Sequence, residues 1–114
     1  MYLIQQITSY PYQTQTLILP NGNSLTLTIR FAPMQYGWFI TNLTYFDFVL
    51  NGMRICNSPN MLYQFKNNLP FGLACYSTQN REPSLQQDFS SGASSLYILN
   101  ADEVEGIAEL YSNG

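Results

Sequence analysis

Between Ser24 and Phe31 the chain alternates without interruption: Leu25, Leu27, Ile29 and Phe31 take one parity, Thr26, Thr28 and Arg30 the other. A repeat of two places the first set on a buried sheet face and the second on an exposed one, and it does not fit a helical period of 3.6. Directly upstream stands Pro20-Asn21-Gly22-Asn23. Asn-Gly adopts positive φ at low cost, which a tight hairpin turn demands. Residues 13–19 on the other side of that turn are therefore expected to be the partner strand.

The stretch 34–56 carries the same signature more densely. It holds the single tryptophan, Trp38, among aromatic and β-branched residues that suit a pleated, half-buried surface. Trp38 and Ile40 share one face, with Phe39 and Thr41 opposite. Residues 45–50 read as one strand with Phe46, Phe48 and Leu50 on a common face. Gly37 precedes the first run and Gly52 interrupts the second, where it permits a turn or a bulge. The expected core is Leu25, Leu27, Ile29, Trp38, Ile40, Phe46, Phe48 and Leu50.

The remaining segments are shorter. Residues 1–12 form an N-terminal strand or arm, broken at Tyr10-Pro11-Tyr12 because proline has no N–H to donate. Asn57-Ser58-Pro59-Asn60 breaks the chain again, and a short helical turn is expected near 60–66. Residues 73–77 and 96–99 are strands. Residues 78–95, rich in Ser, Gln, Asn and Gly, form a long loop. Residues 107–111 make a last strand or short helix, followed by a tail. The fold class is all-β, a small antiparallel barrel or sandwich forming a single domain over the 114 residues.

Composition narrows the chemistry. Charged residues make up 10% and the net charge is −3. Four scattered cations, Arg30, Arg54, Lys66 and Arg81, form no footprint for nucleic acid. No histidine exists, so a Ser-His-Asp triad is excluded, and Cys56 and Cys75 lack the spacing of a zinc site. Both cysteines lie in apolar runs and read as buried free thiols, with one disulfide as the alternative. The acidic group from Asp102 to Glu109 follows no calcium-loop spacing and reads as a solvated turn. No catalytic residue, cofactor or metal is expected. The N-terminus shows no signal-peptide pattern and no run reaches the roughly 20 apolar residues of a membrane helix, so a chain made in a cytoplasm, with no membrane partner, is expected.

The order of these features resembles the small baseplate plug proteins of contractile-tailed bacteriophages, of the cyanophage type. The residues that carry the likeness are Asn21-Gly22, Gly37-Trp38-Phe39-Ile40, Asn51-Gly52-Met53-Arg54-Ile55, Leu62-Tyr63-Gln64-Phe65, Leu69-Pro70-Phe71-Gly72 and the segment from Pro83 to Phe89, over most of residues 13–100. The sequence departs from the family at Tyr45–Phe48, where relatives carry an Asp/Gly turn, and after Asn100. The resemblance implies a virion structural protein of the tail baseplate, made in the host bacterial cytoplasm. It would stand in several copies among hub, spike and tube proteins, with no enzymatic activity. It also implies that Gly52 is a bulge within one continuing strand; from the residues themselves, Gly37, Trp38, Ile40, Phe46, Phe48 and Gly52 read as structural.

Low charge with abundant Tyr, Asn, Gln and Ser suits a surface buried in an assembly, since interfaces enrich aromatics and deplete Lys, Glu and Asp. Docking is expected through the termini and the long loop, with Tyr2, Tyr10, Tyr12, Phe89 and Tyr111 as interface candidates. The alternatives are a carbohydrate-binding β-sandwich module and a tail-associated glycosidase, the latter requiring a paired-carboxylate cleft.

Overall fold

The computed structural model describes residues 2–4, 7–19, 21–78 and 81–113, with backbone alone for 110–113. Eight strands are described: β1 (Tyr2–Leu3), β2 (Tyr12–Ile18), β3 (Ser24–Ala32), β4 (Gly37–Tyr45), β5 (Phe48–Leu50), β6 (Met53–Arg54), β7 (Gly72–Ser77) and β8 (Ser94–Leu99). A helix, α1 (Ala101–Asn113), follows β8. The strands form two antiparallel sheets. One runs β2-β3-β4-β5 with β6 also on β4; the other runs β1-β8-β7. Neither sheet closes, so of the two expected architectures the sandwich is the one adopted.

The inward parity of β3 is realised as expected, while on the outward parity Thr28 is buried rather than exposed. Leu25, Leu27, Ile29 and Phe31 are buried, and they join Trp38, Ile40 and Leu43 of β4 against Leu73, Cys75, Leu96 and Ile98 of the opposing sheet. The β2–β3 turn places Gly22 at φ +88, while Asn21 accepts a hydrogen bond from the Asn23 N–H at 2.9 Å. The second sheet is covered on both faces. Ala74 and Leu99 meet Val104 of α1 on the side away from the main core, which explains why β7 is buried from Gly72 to Cys75 without alternation.

Of the strand and helix alternatives for residues 107–111 the helix is adopted; α1 also takes in Asp102 to Glu109, expected as a solvated turn, and the expected tail up to Asn113. Its start is a reciprocal capping box: Asn100 Oδ1 accepts from the Glu103 N–H at 2.8 Å, and Glu103 Oε1 accepts from the Asn100 N–H at 3.1 Å. The short helical turn expected near 60–66 is a 3₁₀ turn over Tyr63–Phe65.

Two expectations about the central stretch are corrected. Residues 45–50 are not one strand: β4 ends at Tyr45 and pairs with Phe48, leaving Phe46-Asp47 as a two-residue hairpin turn. Phe46 therefore has φ +51 and is 70% exposed, so it is not a core residue. Its ring packs edge-on against Tyr45 instead. Phe48 and Leu50 remain partly buried against the core. Gly52 is the expected bulge within one continuing strand: at φ +78 its N–H donates to the Ile40 carbonyl at 2.9 Å while Met53 faces Ile40, two residues against one. Leu43 faces Leu50 and Ile40 faces Met53, equal steps on both strands, so β5 and β6 are one strand in register with its ladder interrupted at Asn51-Gly52. A second bulge lies opposite it on β4: Thr28 faces Asn42 while Ile29 faces Ile40, making Thr41 the extra residue, which keeps the steps on β4 and on β5–β6 equal.

Candidate interaction surface

Two clusters of polar residues organise the surface. The first ties down the expected long loop. Asp88 is almost wholly buried and accepts four hydrogen bonds: from Arg81 Nη1 and Nη2 at 2.8 and 2.7 Å, and from the Ser84 and Leu85 N–H groups at 2.8 and 2.9 Å. The Arg81 guanidinium holds its carboxyl at about 2, below the ordinary 3.8, against the opposing effect of burial. Trp38 Nε1 donates to the Leu85 carbonyl at 3.0 Å, and Phe89 packs edge-on against the Trp38 indole at 5.5 Å. Phe89, an expected interface residue, is therefore buried core. The polar sequence around it concealed that Asp88 turns this aromatic inward.

The second cluster surrounds the motif residues of the central stretch. The Arg54 side chain lies against Gly37, where an added Cβ would stand 2.7 Å from the guanidinium carbon. From there it donates to the carbonyls of Gln35 and Tyr36 at 3.4 and 3.1 Å and sits over the Phe39 ring at 5.5 Å. Gly37 and Arg54, seventeen residues apart in sequence, thus form one packing unit that anchors Tyr36 at φ +49. Sequence order alone singled out both residues without revealing that they touch.

Strand register places four rows on the outer face of the five-stranded sheet: Tyr12, Arg30, Phe39 and Arg54; Thr14, Thr28, Asn42 and Asn51; Thr16, Thr26, Thr44 and Val49; Ile18 and Ser24. The two arginines are its charged members, and the centre is knit by side chains. Thr14 and Thr28 hydroxyls lie 2.9 Å apart, Thr44 donates to Asn42 Oδ1 at 2.7 Å, and Asn42 Nδ2 donates to Asn51 Oδ1 at 3.2 Å. Hydroxyls and amides already held to one another lose little freedom when covered, which suits burial against another protein.

Tyr2, Tyr10 and Tyr12 are exposed, as an interface role requires, and they are joined by Ile18, Met34, Tyr36, Phe46, Val49 and Tyr76. The side chain of Tyr111 lies outside the described residues. Beside β1 a cleft of about 390 Å³ is lined by Leu3, Ile4, Ile7, Phe89 and Leu96 with serines at its rim.

Cys56 and Cys75 are both free; Cys75 is buried, and burial pushes its thiol up to about 12. Cys56 is exposed, against the expectation of two buried thiols. Among the described residues, no three Cys, Asp or Glu side chains are grouped closely enough to hold a metal, and no helix is long and apolar enough to cross a membrane. No protein-family model matches the chain, and no curated protein matches it as a relative.

Proposed function

We propose that this chain is a structural component of a contractile-tail baseplate, a plug that fills space among hub, spike and tube proteins and is present in several copies. The reading rests on the order of motifs between Asn21 and Phe89. It is supported by one observation above all, the pre-ordered threonine and amide face of the five-stranded sheet, with the exposed Tyr12 in one of its rows and only two charges by register. A face with few charges avoids most of the cost of desolvating them when it is covered. The plug acts by shape and hydrogen bonding and carries out no reaction.

Mass spectrometry of contractile-tail particles purified from cells that express the chain from its own genome tests this. The chain is expected at a fixed ratio to the tube and hub proteins, with photo-crosslinks from positions 16, 26 and 44 into those neighbours. Its absence from washed particles, or glycan-dependent retention of the isolated chain on a sugar column, would replace this reading with a carbohydrate-binding one.

A further inference from the structure

Strand β2 ends the five-stranded sheet, and among the described residues no strand covers its outer edge. Natural edges of this length are blunted by charge, by proline within the strand or by a bulge, because a bare edge is a template for another strand. The β2 sequence, Tyr-Gln-Thr-Gln-Thr-Leu-Ile, has none of these, and no charged residue precedes Arg30 anywhere in the chain. The other edge of the same sheet is different, interrupted at Asn51-Gly52 and carrying Arg54.

The backbone of β2 is also phased for pairing. The Pro11 carbonyl accepts from the Phe31 N–H, and the Leu19 N–H donates to the Asn23 carbonyl. Odd-numbered residues therefore spend their backbone groups on β3, because successive residues of a strand point their N–H and C=O to opposite sides. Tyr12, Thr14, Thr16 and Ile18 present theirs to the open edge. Pro11 and Pro20 flank these seven residues in the sequence and cannot donate. The centre of β2 is Gln15.

We propose that two copies of this chain join antiparallel through β2, with the two-fold axis at Gln15, to make one continuous sheet across the dimer. The strand is self-complementary in that register. Tyr12 would face Ile18 of the second copy and Thr14 would face Thr16, aromatic–β-branched and Thr–Thr pairs of the kind that stabilise antiparallel ladders. These four pairs are the hydrogen-bonded ones, giving about eight backbone hydrogen bonds. Arg30 lies one strand back, beside Tyr12, so no like charges oppose each other. Shifting the axis to Thr14 or Thr16 shortens the overlap or brings a proline into the ladder. The second copy is favoured over a foreign strand because this edge supplies its own complement at every position. The threonine faces of the two copies would then run together. This inference concerns the isolated chain and does not depend on the baseplate reading.

Sedimentation velocity of the full chain over a concentration series is expected to show a species of twice the 13.0 kDa mass. Thr16→Pro removes one outward N–H and leaves the β3 ladder intact, so it should give a folded monomer with unchanged far-UV circular dichroism. In a Cys56→Ser background, Gln15→Cys sits on the axis, where facing Cα atoms of a non-hydrogen-bonded pair lie about 4.5 Å apart, within disulfide reach. Mild oxidation should convert most of it to a covalent dimer, while Gln13→Cys, which faces Leu17, should remain largely monomeric. A chain that stays monomeric up to its solubility limit, a dimer that survives Thr16→Pro, or equal crosslinking of the two cysteine variants would each overturn the proposal. If dimers form while the chain is absent from tail particles, the baseplate reading fails and this one stands.

Discussion

Asp88 shows how a single carboxylate can order a polar segment. Four donors converge on it, and the largest effect on its titration is the Arg81 guanidinium. Its folded value lies below its ordinary one, so the group contributes stability above pH about 4 and loses that contribution as pH falls towards about 2. Thermal melts of the native chain should show this decline between pH 4 and pH 2. Asp88→Asn should lower stability at neutral pH by about 2 kcal/mol, the scale of losing hydrogen bonds to a charged group whose Arg81 partner keeps contact with solvent. It should also flatten the melting temperature across that acid window; an undiminished acid slope in the variant would assign the titration to another carboxylate. The variant should release Phe89 from Trp38 as well, shifting the tryptophan emission to longer wavelength.

At the scale of elements, two glycines mark where segments approach closely, and they differ in how far their neighbours can yield. A Cβ on Gly37 would meet the far end of the flexible Arg54 side chain, whereas one on Gly72 would meet Asn60 Oδ1 at 2.6 Å. Asn60 is buried, and the same oxygen accepts hydrogen bonds from the N–H groups of Leu62 and Leu73. It is held on both sides at the start of β7. Gly72→Ala should therefore cost about 2–3 kcal/mol by overpacking, and Gly37→Ala about 1 kcal/mol, the worth of the displaced hydrogen bonds. The Gly37→Ala and Arg54→Ala effects should be non-additive in a double-mutant cycle, because both remove the same contact. In α1 two substitutions should have opposite signs. Asn100→Ala loses the cap and costs about 1 kcal/mol. Gly106→Ala meets nothing within 4 Å and should stabilise by about 0.5–1 kcal/mol through helix propensity. Chemical denaturation at fixed pH measures all of these.

At the scale of the whole molecule, one continuous cluster joins both sheets. Leu25, Leu27 and Ile40 of the first pack in the same core as Leu73, Leu96 and Ile98 of the second, with Trp38 wholly buried among them. Neither sheet has a second apolar face broad enough to stand alone; α1 covers only Ala74, Leu99 and their neighbours. Unfolding is therefore expected to be a single transition, with Trp38 fluorescence and far-UV circular dichroism superimposing across the denaturant series. Two separated midpoints would show that the sheets lose structure independently. Among the described residues no strand or helix covers the outer face of the five-stranded sheet or the edge of β2, which is why both functional inferences converge there.

Local physical chemistry alone determined the β2–β3 hairpin and the inward parity of β3. Asn21-Gly22 supplies the turn, and strict alternation admits one phase. The apolar spacing also changes phase between Ile40 and Leu43, which marks the bulge at Thr41 for a reader who counts it. The capping box of α1 is likewise written in Asn100 and Glu103. Where residues 45–50 would reverse was not legible, because Phe46 has high strand propensity and only the register of β5 on β4 puts it at a positive-φ turn position. The inward position of Phe89 was hidden for a similar reason: it depends on Asp88 meeting Arg81 and on Trp38 reaching Leu85, contacts that require the sheets to be assembled first. The contact of Gly37 with Arg54, and that of Gly72 with Asn60, is spatial in the same sense. Alternation and turn chemistry act between neighbours along the chain. Burial of a loop aromatic, close approach at a glycine and the identity of the open edge are properties of packing, and only the tertiary structure decided them.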